Sequence, residues 1–319
     1  MKVSNGIKIA AANKALCYKT LAYKVIVTGL FAITAFLLAR MIFRPVIASA
    51  EFKNLINALK ELVKNFFDPS AATRTQGGDL GDKFSLLYEK TLAEFSTHAW
   101  AVVAIFALIQ VLKFLLAIGD YVIGVNVNEH MTSMLHAGFL NTAFSKFKSA
   151  CRYAGYRTIM LLAFNAVTVT VTFFAALGAM NLVGIYALTV AVFLFIFANS
   201  FRLAVIGLVL PKMVVENKGA FASFKEALKG MKFSDVWQRF LSYFVTCLAV
   251  YAIAIISSAV TFNVALLVTI PLSSVTFISL RFVDYYTVTR KKYYITFDEI
   301  VVPKELRKND ENLLNEMDI

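Results

Sequence analysis

Six apolar runs, at about 25–43, 100–118, 159–178, 182–210, 237–259 and 264–282, are each long enough to cross the hydrocarbon core of a bilayer. In lipid every backbone N–H and C=O must find its partner within the protein, and a single chain of such runs meets that condition as helices. The expected fold is therefore all-α: a polytopic membrane helical bundle of about six transmembrane helices, with amphipathic helices at the interfaces. Composition agrees, since 59% of the residues are hydrophobic and only 16% charged, with a mean hydropathy of +0.69. Soluble domains carry about a quarter charged residues.

The first run is the shortest. Its apolar core, 25–39, is about 22 Å long at 1.5 Å per residue, so it must borrow Met41, Ile42 and Phe43 while Arg40 and Arg44 reach back to the headgroups. An alternative is a cleaved leader, because Lys19 and Lys24 precede the core and Ala48-Ser49-Ala50 has the form of a cleavage site. The long, arginine-bearing stretch between core and site favours a retained helix.

Orientation follows from the basic residues. The net charge of +12 marks segments held in the cytoplasm rather than a nucleic-acid surface. Five lysines and no acid precede the first run, and the connections after spans three and five, residues 179–181 and 260–263, are uncharged. Lys146, Lys148, Arg152 and Arg157, then Lys212 to Lys232, then Arg290 to Lys292 fall on the opposite side. Both termini are therefore expected in the cytoplasm of a plasma-membrane protein, with a membrane domain over 1–292, a cytoplasmic tail over 293–319 and an external segment over 44–99. The stretch 40–98 holds eight basic and seven acidic residues, but long loops cross largely regardless of charge.

Within the external segment, Phe52, Leu55, Ile56, Leu59, Leu62, Val63, Phe66 and Phe67 recur at three- and four-residue steps, which predicts an amphipathic helix whose apolar face covers an arc of about 140°. A mobile loop over 73–82 and a second helix over 84–95 should follow. On the inner side, residues 218–231 form a basic amphipathic helix: Phe221, Phe224, Leu228 and Met231 are flanked by Lys225, Lys229 and Lys232. Such a helix suits an anionic leaflet, and its bland alternative is a topological marker. Membrane lipids, anionic ones included, and a membrane protein are the expected partners. The segment 131–147 is apolar nearly all round and its face cannot be read. From Tyr293 the chain has a short β-like run, 294–297, and then an acidic, Asn-rich end.

Chemistry is sparse. There is no Walker loop, no dinucleotide-binding glycine motif, no Cys pair at metal spacing, no nucleophile elbow and no zinc-peptidase motif. The three histidines read as interfacial, and neither enzyme activity nor a cofactor is expected. Ionisable or amide groups inside the runs are few: Gln110 and Lys113, Asn165, Asn199 and Arg202, Arg281 and Asp284. With the second span ending at 118, no acid lies in the middle of a span. Asn165, Asn199 and Arg202 are the intramembrane polar site to examine. The run 182–210 would be about 43 Å long against roughly 30 Å of hydrocarbon, so either it projects past the inner interface, leaving Arg202 at the headgroups, or Arg202 is buried and paired. Projection is the favoured expectation.

The long fourth run closing on Pro211, the polar stretch to Gly219, the amphipathic 220–230 and the hairpin that follows together resemble uncharacterised six-span bacterial membrane proteins. These include the DUF975-type proteins and the membrane domain fused to some glycerophosphodiester phosphodiesterases. The resemblance covers about residues 159–294 and implies topology; the phosphodiesterase catalytic domain has no counterpart here. Two readings of function remain. One is a structural or accessory protein that organises lipid or a membrane partner. The other is a transporter or permease subunit with a pathway between the helical hairpins. A solvent-lined cavity at mid-membrane depth, with Asn165, Asn199 and Arg202 converging on it, would favour the second.

Overall fold

The computed structural model describes residues 2–67, 77–134, 138–183, 187–229, 233–261 and 264–303. Helices α1 (Lys2–Ala12) and α2 (Lys14–Ala48) are followed by α3 (Ala50–Phe67), α4 (Gly77–Thr97), α5 (Ala99–Ser133) and α6 (Phe139–Ser145). Then come α7 (Phe147–Val183), α8 (Ala187–Ile206), α9 (Val209–Val215), α10 (Ala220–Lys229), α11 (Phe233–Thr261) and α12 (Leu266–Val288), and a hairpin of β1 (Tyr293–Thr296) and β2 (Glu299–Val301). The fold is an all-α polytopic bundle. Five helical segments are long and apolar enough to cross a membrane: Lys14–Ala48, Ala99–Ser133, Phe147–Gly178, Thr189–Val215 and Phe233–Thr261. Helix α12, 23 residues or about 34 Å, stands where the sixth run was expected.

The chain divides into two compact units, residues 28–112 and the remainder, with α2 and α5 running from one into the other. In the smaller unit α3 packs on α4. Ser49 Oγ accepts a hydrogen bond from Phe52 N at 3.3 Å and so satisfies one of the open N–H groups of α3. Leu55 of the expected apolar face is buried, whereas Leu59 is half exposed; the side chains of residues 62–67 lie outside the described residues. The expected mobile loop is corrected in part, because residues 77–82 belong to α4, where Gly77, Gly78 and Gly81 are carried in a 21-residue helix; residues 73–76 lie outside the described residues.

In the larger unit burial is unevenly spread. Large side chains on the long helices, such as Val169 and Phe174 on α7 or Ile253 and Ile256 on α11, are exposed, the pattern of a lipid-facing surface. The tight core lies instead around the last third of α5, the start of α7, α9, α10 and the end of α12, where Tyr121, Met131, Tyr153, Met213, Phe282 and Tyr286 are buried together. We refer to this region as the cap. Helix α1 packs along α12, close enough that a methyl group on Gly6 would lie 3.3 Å from the Leu280 backbone. It is tied there by Lys2 to Asp284 at 3.1 Å, by Asn5 Nδ2 donating to Tyr293 Oη at 3.0 Å and by Lys8 to Glu299 at 2.7 Å. The lysine-rich helix α1 is thus docked on the protein.

Several sequence boundaries move. Helix α5 runs on to Ser133, fifteen residues past the expected end of the second span, because residues 119–133 lie against cap residues. The turn expected at residues 179–181 is helical, since α7 continues through Gly178 to Val183. The fourth run is not one projecting helix: it breaks at Gly207 and Leu208, and α9 begins after the break. A Cβ on Gly207 would lie 2.4 Å from the Leu203 carbonyl oxygen and 3.0 Å from the Tyr243 hydroxyl, so the break is built around a residue without one. Asn217, in the left-handed region at φ 52°, then turns the chain after α9. The segment expected to begin a tail opens with the hairpin β1–β2, whose Tyr293 and Ile295 are buried in the cap. Residues 304–319 lie outside the described residues.

Candidate functional site

Helices α8, α11 and α12 enclose a cavity of about 670 Å³. Its walls come from one face of α11 (Cys247, Val250, Tyr251, Ala254, Ser258) and one face of α12, stepping from Leu266 through Ile270, Ser274 and Phe277 to Arg281. Spacings of three and four residues keep each set on one side of its helix. Arg202 of α8, Arg157 of α7 and Arg281 also line it, and Asp120 of α5 is its one acidic residue. Three guanidinium groups therefore face one carboxylate. A smaller pocket of about 30 Å³, walled by Tyr153, Tyr156, Ile206 and Val209, is lined by the same three arginines. They stand between the large cavity and the cap.

The carboxylate is already engaged. Lys24 Nζ lies 3.0 Å from Asp120 Oδ1 and donates to Ser274 Oγ at 2.5 Å, while Arg157 Nη1 donates to Asp120 Oδ2. Four helices, α2, α5, α7 and α12, meet in this knot. Asp120 is 5% exposed, so its charge depends on those two cations; a buried ion left alone costs several kcal/mol. A second knot, Lys2 with the fully buried Asp284, ties α1 to the cap end of α12. Among the described residues neither knot forms a close ion pair with Arg202 or Arg281, although the charge of Asp120 reaches Arg281.

Arg202 donates to Asn165 Oδ1 at 3.2 Å, and its guanidinium lies 5.8 Å from the centre of the Phe164 ring. The expected single projecting helix is corrected, since α8 stops at Ile206, and Arg202 lies among α7, α8, α11 and α12. Arg157 and Arg281 both bear electrostatically on it. Arg281 carries a buried Nε with no hydrogen-bond partner, an unusual condition for a strong donor. Cys247, on the cavity wall near Arg202, lies midway along α11, which puts the arginines well inside the helical run.

Of the polar residues singled out from the sequence, Asn165 and Arg202 are in contact and Asn199 lines the cavity with Arg202, while Asn165 stands behind it. Asn199 Nδ2 donates to Phe195 O at 2.9 Å, one turn back. Lys24, Asp120 and Arg157 were missed as site residues. Lys24 and Arg157 read as topological charge, and Asp120 stood just beyond the assigned end of the second run. The available signal was that Lys113 and Asp120, seven residues or two turns apart, share one side of a helix that continues past the apolar run.

Around α10 the expected apolar strip splits. Phe224 packs into the cap against Tyr156, with ring centroids 5.7 Å apart, beside buried Ser223 and Ala227. Phe221, Leu228, Lys225 and Lys229 share the opposite, exposed side; Lys232 lies outside the described residues. No protein family, curated protein or solved structure matches the chain.

Proposed function

We propose that this integral membrane protein is a permease-type protein of the plasma membrane that binds an anion in the arginine-lined cavity and passes it between the helical hairpins. In this reading the cap and both termini are cytoplasmic. The observation that carries it is the convergence of Arg157, Arg202 and Arg281 on one cavity where the one acid among the described lining residues, Asp120, is already paired with Lys24. Charges inside helical membrane segments are costly and are kept for pairing or for use. Among the described residues neither Arg202 nor Arg281 forms a close ion pair, and the carboxylate that bears on Arg281, Asp120, is shared with Lys24 and Arg157, so use is the better account. The six-run topology, and the resemblance of 159–294 to DUF975-type six-span proteins, fit the same architecture.

A second reading, an accessory protein that organises lipid, is favoured by the exposed side of α10. There Phe221 and Leu228 lie beside Lys225 and Lys229, a combination suited to an anionic leaflet. The two readings are separated by flux. Protein reconstituted in neutral-lipid vesicles loaded with a chloride-, phosphate- or sulfate-sensing system should move at least one of these anions faster than protein-free vesicles. The rate should fall in Arg202→Gln. Absence of flux for every anion, with the protein intact in the vesicles, favours the accessory role.

A further inference from the structure

The walls of the cavity say what kind of anion it holds. On α12 the lining extends from Arg281 to Leu266, fifteen residues or about 22 Å along the helix. At one end stand the guanidinium groups of Arg157, Arg202 and Arg281. Away from them the lining is mainly apolar, through Val250, Ala254, Ile255 and Ile270, with hydroxyls of Ser258, Thr269 and Ser273 interspersed. An inorganic anion would use only the arginine end and leave that length of apolar wall without a partner. The volume, about 670 Å³, also falls within the roughly 300–1,000 Å³ of sites that enclose an organic ligand.

Charge at one end and hydrocarbon along the rest describe an amphiphile. Guanidinium groups match the oxygens of a phosphate better than a point charge does, since they can donate two parallel hydrogen bonds. Arg281 holds a buried Nε donor with no acceptor among the described residues. Ile255 and Ile270, which line the cavity, are also among the exposed side chains of α11 and α12, at 63% and 58%. The cavity wall is therefore continuous with the outer surface of these helices, the route by which a chain in the bilayer would enter.

Resting on the anion-site reading above, we propose that the ligand is a phosphate-bearing lipid, with its phosphate on Arg202 and Arg281 and its acyl chain between α11 and α12. Alanine 254 lies on the chain part of the wall and Arg202 on the phosphate part, so the two ends can be tested apart.

The experiment is saturation binding of radiolabelled lysophosphatidic acid to the full-length protein in a neutral maltoside detergent, alongside radiolabelled inorganic phosphate. Lysophosphatidylcholine is the zwitterionic control. Lysophosphatidic acid should bind saturably and well above lysophosphatidylcholine. Arg202→Gln with Arg281→Gln should weaken it by about tenfold or more, as loss of charge-assisted bonds requires, while exposed Lys148→Gln leaves it unchanged. Ala254→Trp, which fills the chain region, should weaken lysophosphatidic acid and leave any phosphate binding intact. If inorganic phosphate binds and the lipid binds no better, or if Ala254→Trp affects neither, the lipid assignment is overturned and the anion site stands. If neither ligand binds, both fall. Should the double arginine variant not elute as folded protein, the Ala254→Trp comparison still decides the matter.

Discussion

Lys24 Nζ stands 3.0 Å from Asp120 Oδ1, joining the amino-terminal part of α2 to α5 in a site where the two side chains are 11% and 8% exposed. Arg157 completes the group from α7, and its guanidinium also lies 5.9 Å from the Tyr153 ring. This cluster joins α2, α5 and α7 beside the cavity and divides the charge of Asp120 between Lys24 and Arg157, leaving the arginine end with net positive charge among the described residues.

Asp120→Asn should leave Lys24 and Arg157 facing each other without a counter-charge in a buried place. Breaking one side of such a group costs about 3–5 kcal/mol. The expected outcome is a marked fall in the thermal midpoint of the detergent-solubilised protein, partly restored when Lys24→Met is added. Additive losses in the double variant would mean that the pair is not coupled.

Glu216 offers a pH test outside the membrane segments. Tyr285 Oη donates to its carboxylate at 3.0 Å, and Lys218 Nζ lies 2.9 Å away. Burial pushes the carboxyl up, but hydrogen bonds from Lys218 and Tyr285 and the charges of Lys212 and Lys218 outweigh it and hold it below the usual 4.5. A depressed folded value means that the stabilisation is complete above about pH 4.5 and is lost as pH falls through the folded value. Amide exchange, corrected for its intrinsic pH dependence, should therefore rise in α9 and α10 as pH drops below 4.5. Glu216→Gln should flatten that response.

Phe221 and Leu228 are 72% and 41% exposed on the side of α10 that carries Lys225 and Lys229. If this side rests in an anionic leaflet, tryptophan at Phe221 should be quenched by brominated acyl chains in reconstituted protein. Each lysine near such a surface contributes about 1 kcal/mol, so Lys225→Gln with Lys229→Gln should reduce the quenching, and so should high salt. Equal quenching in neutral and anionic vesicles would leave the lysines a topological role only.

Orientation is open to thiol labelling. With Cys17, Cys151 and Cys247 replaced by Ala, an impermeant reagent added outside intact cells should label cysteine at Ser70 and spare cysteine at Lys292. The reverse pattern would invert the topology, placing the cap outside.

The helical class was legible because apolar runs of membrane length admit few alternatives; α11 followed its run to within four residues at each end, while α12 ran six residues past the end of its own. The cap was not legible, for a physical reason. Tyr121, Tyr153, Tyr285 and Tyr286 are amphipathic residues that suit a headgroup layer as well as a protein core, and only their mutual packing decides between them. The cavity was half legible. Asn165, Asn199 and Arg202 stood out as polar groups within apolar runs, whereas Lys24, Asp120 and Arg157 lie where runs end and basic charge is ordinarily topological. Their pairing joins residues far apart in the chain, which no local periodicity records. The break at Gly207 escaped for a similar reason: glycine is common in membrane helices, and the contact with Tyr243 that gives it meaning is tertiary.

The cavity should be an accessible, positively charged place. Cysteine at Ser273, on the α12 wall, in a background with Cys17, Cys151 and Cys247 replaced by Ala, gives the most direct measure. Its rate of reaction with a sulfonate-bearing methanethiosulfonate is compared with that of a trimethylammonium-bearing one, each normalised to a free thiol. A preference for the anionic reagent of about tenfold is expected, which a local potential of about 1 kT per unit charge already produces because the reagents differ by two charges, and it should fall toward unity in Arg202→Gln and Arg281→Gln. Equal rates for the two reagents, or a faster reaction with the cationic one, would contradict it.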